Sequence, residues 1–452
     1  MGNAVVIRMY NVGCGDCIYV QIPGPDEGFH MLIDCGKKGG GELLQSAVVH
    51  MKDLLPSIKQ SKRKRLDLLV VTHRHEDHIK GFDEAWFTGI EIGQTWLSVA
   101  QDPKHKQAQN TNKLHRLATK AMRALAESGT ALSPRVEQLA SMYVSNPKAD
   151  QFFTKLKPTY VSNGSRGSKL GLNLPPKTEI HVLAPEMDID GMYLGKELDR
   201  TMKGLNAGAV IARTGTAAQP PAASNTPANI NGADFRTLQS RMFSNGLAFA
   251  AKDTNIQNNL SVVLLIEWNG KRLLFVGDAE YEKHEFEIGK QNGSWNVMWE
   301  KHRKGHLSKP VDFLKIGHHG SINATPPSGA ARPAKQTKSP SVYEILDTIL
   351  PVKKKPTAKA VVSTERSFYD PIPECEMLID LARRVSNTSN YGSRLRKAKI
   401  DPKDIWVSAK AKRKGFYSKY EEKFLNKLQP LRTDLESVLD PAFQFAKIEI
   451  AK

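Results

Sequence analysis

Cysteine is scarce in this chain: Cys14, Cys17, Cys35 and Cys375 are the four in 452 residues, too few for a disulfide-stapled scaffold. Long apolar runs are missing as well. No stretch approaches the roughly 20 apolar residues of a membrane span. The apolar run Ala4-Val5-Val6-Ile7 near the start is too short for a secretory leader. A protein of the cytoplasm is the expectation. Acidic residues fall short of basic ones, 47 Asp and Glu against 65 Lys and Arg, and leave a net charge of +18. That balance points to an anionic partner: nucleic acid, another phosphate-rich substrate, or a membrane surface. Charge kept only for solubility is the plainer alternative.

What the chain does have is a concentrated polar cluster. The apolar run Leu66-Asp67-Leu68-Leu69-Val70-Val71 ends in Thr72-His73-Arg74-His75-Glu76-Asp77-His78. The run reads as a buried strand, and open α/β sheets place their ligands at the carboxyl ends of strands. Three imidazoles and a carboxylate within six residues are costly to crowd together without a cation between them. Neutral imidazole and carboxylate suit zinc or manganese. His73 and His75 lie two apart and point the same way on an extended segment, so they can grip one ion. Asp77 and His78 turn with the chain and reach a second ion beside it. Such a pair clamps a phosphoryl or acyl group and activates water. A His-rich solvated loop is the bland alternative.

The remaining segments read as alternating strands and helices. Strands are expected at Ala4–Met9, Ile18–Ile22 and Phe29–Ile33, and a helix over Glu42–Leu55. Asp16, in the turn Gly13-Cys14-Gly15-Asp16-Cys17, can present its carboxylate or the turn's N–H groups to a ligand. Cys14 and Cys17 form a C-x-x-C without a second pair, so a tight turn of small residues is the favoured reading. Lys62-Arg63-Lys64-Arg65 either touches phosphate or is a charged loop. Over residues 101–155, Lys104, Lys106, Lys113, Arg116, Lys120 and Arg123 alternate with Leu114, Leu117, Ala118, Met122 and Leu125 at helical spacing. This is an inserted helical subdomain with one basic face. His105 and His115 within it have no partners in sequence and are not counted as ligands. Residues 205–232 read as a flexible loop.

Two later stretches repeat the strand-then-ligand pattern. Ser261–Trp268 and Lys271–Val276 flank Asn269-Gly270, a strong hairpin signal, and the second strand ends in Gly277-Asp278. Val311–Ile316 ends in Gly317-His318-His319-Gly320-Ser321. One of these histidines is expected to ligate the second metal. His318 comes first off the strand and is favoured; His319 then contacts substrate or serves as an acid. The opposite assignment stays open. Ser321 is a candidate for orienting substrate.

The stretch His73-Arg74-His75-Glu76-Asp77-His78 is similar to the HxHxDH signature of the metallo-β-lactamase superfamily. The whole series resembles the metallo-hydrolase domain of competence (DNA-uptake) proteins and their soluble relatives. It runs Asn11-Val12-Gly13-Cys14-Gly15-Asp16-Cys17, Asp34-Cys35-Gly36, the histidine motif, Asn258–Leu264 before Gly277-Asp278, and Leu314–Ser321. The likeness covers roughly residues 4–99 and 179–380. It implies an αββα sandwich, here spanning 1–390 with the helical insertion, followed by a basic segment over 391–452. It further implies two divalent ions, Zn or Mn, with Asp278 bridging them and Asp34 supporting the metal loop from behind. One position departs from the superfamily. Where many members carry another histidine before the Gly-Asp strand, this chain has Asn255-Ile256-Gln257-Asn258-Asn259. His181, the nearest other candidate, sits inside an apparent strand and reads as structural. The first ion is then expected either to be weakly held or to take an oxygen of Asn258 or Asn259, and oxygen ligands shift preference towards a harder ion such as manganese.

The segment 391–452 interleaves Lys412, Arg413, Lys414 and other cations with Tyr391, Trp406, Phe416, Tyr417 and Tyr420. Cations track a phosphate backbone while rings stack on bases; a solvated helix packed through its aromatic residues is the alternative. Together these features, with the resemblance, lead to the expectation of a phosphodiesterase or nuclease acting on DNA or RNA. Metal-bound hydroxide would be held by His73, His75, Asp77, His78, Asp278 and His318, with Asp77 and His319 in catalytic roles. The competing readings are a hydrolase of a small phosphate ester or cyclic nucleotide, and a module that binds nucleic acid without cleaving it.

Overall fold

A computed structural model of the protein describes residues 3–38, 41–127, 139–140, 143, 147–195, 250–329, 341–363, 377, 380–381, 383–386, 435–437 and 444–452. Two β-sheets dominate it. In the larger, eight strands are ordered β12 (Leu435–Ser437), β13 (Gln444–Ala451), β1 (Ala4–Tyr10), β2 (Cys17–Ile22), β3 (Phe29–Cys35), β4 (Lys64–Val71), β5 (Ile90–Ser98) and β6 (Thr159–Val161). The smaller is ordered β11 (Lys359–Val361), β10 (Phe313–Lys315), β9 (Lys271–Phe275), β8 (Val263–Trp268) and β7 (Thr178–Ala184).

Side-chain alternation explains why both sheets are covered on both faces. Along β4, Leu68 and Val70 enter the core between the sheets, while Leu69 and Val71 pack outward against the helix Glu42–Leu54. Along β9 the split is the same: Leu273 and Phe275 face the other sheet, and Leu274 faces the helices Ser294–His302 and Val342–Ile349. Strands buried on both faces read as continuous apolar runs, as β4, β8 and β9 do. The result is four layers, helix–sheet–sheet–helix, in the αββα arrangement of a metallo-β-lactamase-like sandwich. The β8–β9 hairpin turns at Asn269 and Gly270, with φ of 48° and 82°, the left-handed pair that a two-residue turn of this kind requires.

β13 is an interior strand of the larger sheet. It pairs with β1 over seven residues and with β12 on its other side, so its apolar face, Ala446, Ile448 and Ile450, joins the inter-sheet core. The inserted helix Lys106–Glu127 buries Ala108, Thr111, Leu114, Ala118 and Met122. It turns Lys106, Lys113, Arg116, Lys120 and Arg123 outward. His105 precedes it, and its Nδ1 accepts from the Ala108 amide at 3.2 Å, a capping role. Residues 205–232 and Lys412, Arg413 and Lys414 lie outside the described residues.

Candidate metal centre

Five strands end at one place. β3 delivers Asp34, β4 delivers His73 to His78, β9 delivers Asp278, β10 delivers His318 and His319, and β11 delivers Ser363. The chain after β4 turns into the short helix Glu76–Ile79, and that turn separates His73 and His75 from Asp77 and His78. Gly36 makes the packing possible: a Cβ there would stand 2.2 Å from the His78 amide nitrogen. Lys62 and Arg63 precede β4, and Lys64 and Arg65 open it, at the end remote from this cluster.

Two ligand groups result. His73, His75 and Asp278 bring donor atoms within 4.8 Å of one another, and so do His78, Asp278 and His319. Asp278 is common to both. Its Oδ1 accepts from the His318 amide at 3.1 Å. Its Oδ2 lies 3.8 Å from His73 Nε2, 3.1 Å from His78 Nε2 and 3.9 Å from His319 Nε2. His73 Nε2 is 2.9 Å from His75 Nδ1, and His319 Nε2 is 3.1 Å from Asp77 Oδ2. Ligands bonded tetrahedrally to zinc stand about 3.3 Å apart, so these spacings bracket what a bound ion needs. Buried polar atoms without hydrogen-bond partners support the fit: Asp77 Oδ1 and Asn258 Oδ1. Orphaned buried groups are expensive unless something satisfies them. The nitrogen-and-oxygen donor set suits zinc or manganese.

A second ring of contacts orients these donors. Asp34 accepts from the Thr72 amide, the Thr72 hydroxyl and His78 Nδ1, each at 2.7 Å. Holding Nδ1 aims His78 Nε2 at Asp278. Asp34 carries φ of 56°, a left-handed conformation that costs a non-glycine residue about 1 kcal/mol or more. His73 Nδ1 is met by the hydroxyls of Thr72 at 3.1 Å and Ser261 at 3.3 Å. Asp16 pairs with the fully buried Lys315 and lies 3.7 Å from His319 Nδ1. Lys38, also buried, lies 3.4 Å from Asp77.

Electrostatics separates the histidines. Burial, with His78 and His75 as neighbours, holds His73 well below the usual imidazole range. Burial likewise lowers His75 to about 4. Both are neutral, as metal ligands must be. For His78 burial opposes charging, yet Asp278 and Asp34 outweigh it and raise the group. Burial pushes Asp77 up, but Lys38, His319 and His78 pull it well below the carboxylate range.

The sequence-based candidates divide on this geometry. His73, His75, Asp77, His78, Asp278 and His319 come together. His318, favoured from its place in the chain, stands aside: its Nδ1 is 2.7 Å from Glu280 Oε1, and it joins neither ligand group. The reason is backbone. His318 and His319 both adopt left-handed φ, 40° and 52°, and in this turn the adjacent rings diverge, the first to Glu280 and the second to Asp77. His319 Nδ1 is then held by Ser363 Oγ at 3.0 Å. Ser321 instead donates to its neighbour Asn323 at 3.1 Å. The two asparagines also part. Asn259 Oδ1 already accepts from the Glu280 and Ser294 amides. Asn258 donates its amide to Glu280 at 2.8 Å, which leaves Oδ1 as the unpartnered end.

Several residues outside the ligand motifs also reach the centre. Cys14 lies with Asp77 and His319 as a potential donor, whereas its C-x-x-C companion Cys17 faces Cys35 across two strands at 3.9 Å. Lys315 carried a signal, a lysine inside the apolar run Phe313–Ile316. Nothing local marked His115. It gives Nδ1 to the fully buried Asp253 at 2.8 Å, beside Tyr143, whose ring stands 6.5 Å from that of His75.

Residues 11–108 match the family model of the metallo-beta-lactamase superfamily, and this span carries the Asp34 and histidine motifs. No curated protein matches the chain. The protein therefore carries a metallo-β-lactamase superfamily domain with a metal-dependent hydrolase fold and candidate metal-binding His/Asp clusters. Among the described residues no helix is long and apolar enough to cross a membrane.

Proposed function

We propose that this protein is a two-metal phosphodiesterase that cleaves nucleic acid. The observation that carries the reading is Asp278 Oδ2, shared by a His73–His75 group and a His78–His319 group, beneath an inserted helix whose solvent face is basic. When bound, two ions supply an activated water and neutralise charge that develops on a phosphoryl group. His73, His75 and Asp278 would hold one ion, and Asp77, His78, His319 and Asp278 would hold the other. Asn258 Oδ1 stands in for the missing histidine. Asp34, Thr72, Ser261 and Ser363 keep the rings in register by holding their rear nitrogens.

The insertion supplies what the minimal sandwich lacks. Lys113, Arg116 and Lys120 lie on one solvent-facing stripe of helix Lys106–Glu127 and are spaced to follow phosphates. His115, on the same helix, stands towards the His75 side of the centre. Asp253 holds its Nδ1 at 2.8 Å, which leaves Nε2 as the ring nitrogen to meet a substrate oxygen. The resemblance to competence-type hydrolases supports the same substrate class.

A panel of single-stranded DNA, duplex DNA, RNA, a cyclic nucleotide and a chromogenic phosphodiester, each with zinc or manganese, tests the reading. Metal-dependent cleavage of at least one polymer is the expected result. Cleavage confined to the small esters would give the site to a small-molecule phosphodiesterase. Binding of polymer with no turnover of anything would make it a non-cleaving module.

A further inference from the structure

A second cluster of potential metal donors lies far from the first. His181 projects from β7 on the face away from the inter-sheet core, since its neighbours Ile180 and Val182 enter that core. Glu267, near the end of β8, meets it diagonally: Glu267 pairs with Glu179, two residues along the same face of β7. His306 reaches both from the loop that follows the helix Ser294–His302. The place is the hairpin end of the smaller sheet. β9 begins here at Lys271 and ends beside Asp278, so the run of six residues from Arg272 puts roughly 20 Å between the two sites.

We propose that His181, Glu267 and His306 form a peripheral transition-metal site, suited to zinc, that pins the loop after helix Ser294–His302 to the sheet. One donor atom from each of the three lies within 4.8 Å of the others. His181 Nε2 and Glu267 Oε2 stand 3.4 Å apart, close to the roughly 3.3 Å edge of a zinc tetrahedron. His181 is 7% exposed, and its Nε2 has no hydrogen-bond partner. A buried ring nitrogen left in that state is costly, and a bound cation satisfies it.

The loop is already held in place for this task. Arg272 donates to the main-chain carbonyls of His306, Lys309 and Pro310, so His306 is positioned before any ion arrives and little ordering cost remains. Arg272 does approach Glu267, but through Oε1 at 3.4 Å, which leaves Oε2 for the ion. Burial and the neighbouring His181 and His302 lower His306 to about 4, so its ring is neutral and can bind metal at ordinary pH. An open cavity of about 610 Å³, lined by Glu267, Arg272, His306, Lys177 and Lys309 among others, gives an ion a route from solvent and room for a water as fourth ligand.

This site does not depend on what the main centre hydrolyses. The test uses the full chain, stripped of metal and titrated with zinc alone. The parent should bind one more equivalent than His306→Ala and than Glu267→Gln. The same difference of one equivalent should persist when both variants are remade on Asp278→Ala, which weakens the main centre. With cobalt in place of zinc, a visible absorption band should survive Asp278→Ala and vanish on adding His306→Ala. Zinc-edge anomalous diffraction from crystals of the parent needs no variant: a peak among the three side chains is expected. Equal zinc content in parent and a folded variant, or an anomalous peak at the main centre with none here, overturns the proposal.

Discussion

At the scale of single residues, Asp278 governs the centre because one of its oxygens serves both ligand groups. Asp278→Ala should abolish hydrolysis and remove most of the bound metal at the main centre; elemental analysis of variant and parent checks it, and equal metal content there would end the bridging role. The neighbouring histidines give a sharper contrast. His319→Ala should lose the second ion together with activity, because its ring faces Asp77 and Asp278. His318→Ala should keep both ions, because its ring pairs with Glu280. Metal counts that fall for His318→Ala and hold for His319→Ala would reverse the assignment. Asp34→Asn belongs with these. The amide keeps the shape but loses the charge that holds His78 Nδ1, so affinity for the second ion should drop about 10–100-fold. Calorimetric titration reads that directly.

At the scale of elements, the inserted helix carries the test of substrate. Reversing Lys113, Arg116 and Lys120 to Glu removes cations from its solvent face without touching the buried stripe Ala108, Leu114, Ala118 and Met122. If these side chains neutralise phosphates, the log–log salt slope for single-stranded nucleic acid should flatten by about 0.7 per lost contact. Hydrolysis of a small chromogenic phosphodiester should stay near the parent rate. An unchanged slope would remove the helix from the polymer interface. Lys412→Glu, Arg413→Glu and Lys414→Glu together ask the same question of the carboxy-terminal segment. The helical residues 250–259 carry another element-scale expectation. Their last turn carries Asn258, whose oxygen is a harder donor than imidazole. Manganese added to metal-depleted protein should therefore restore activity in two phases, and full activity with one zinc equivalent would count against Asn258 as a ligand.

At the scale of the whole molecule, the last strand is as structural as the first. β13 is hydrogen-bonded on both sides and adds Ala446, Ile448 and Ile450 to the core between the sheets. Deleting residues 444–452 should abolish cooperative unfolding rather than merely weaken binding of an anionic partner. A truncated protein that unfolds at the parent's temperature would contradict that. The strands that carry the centre were legible from local pattern, while the layered sandwich followed from the family resemblance. Apolar runs ending in Asp34, His73, Asp278 and His319 each announce a strand and a ligand at its carboxyl end, because side-chain alternation and turn chemistry act over a few residues. The helix over 106–127 and the Asn269-Gly270 turn were legible for the same reason. Choices between neighbours were not. His318 and His319 are adjacent in sequence, and order along the chain favours the first, whereas the fold pairs His318 with Glu280 and sets His319 beside Asp77 and Asp278. Asn258 and Asn259 are equally alike until Glu280 and Ser294 claim one oxygen and leave the other. His115 with Asp253, and His181 with Glu267 and His306, join residues 138, 86 and 125 positions apart in the chain. No local period relates such residues; packing of the insertion and of the helix Ser294–His302 against the sheets brings them together.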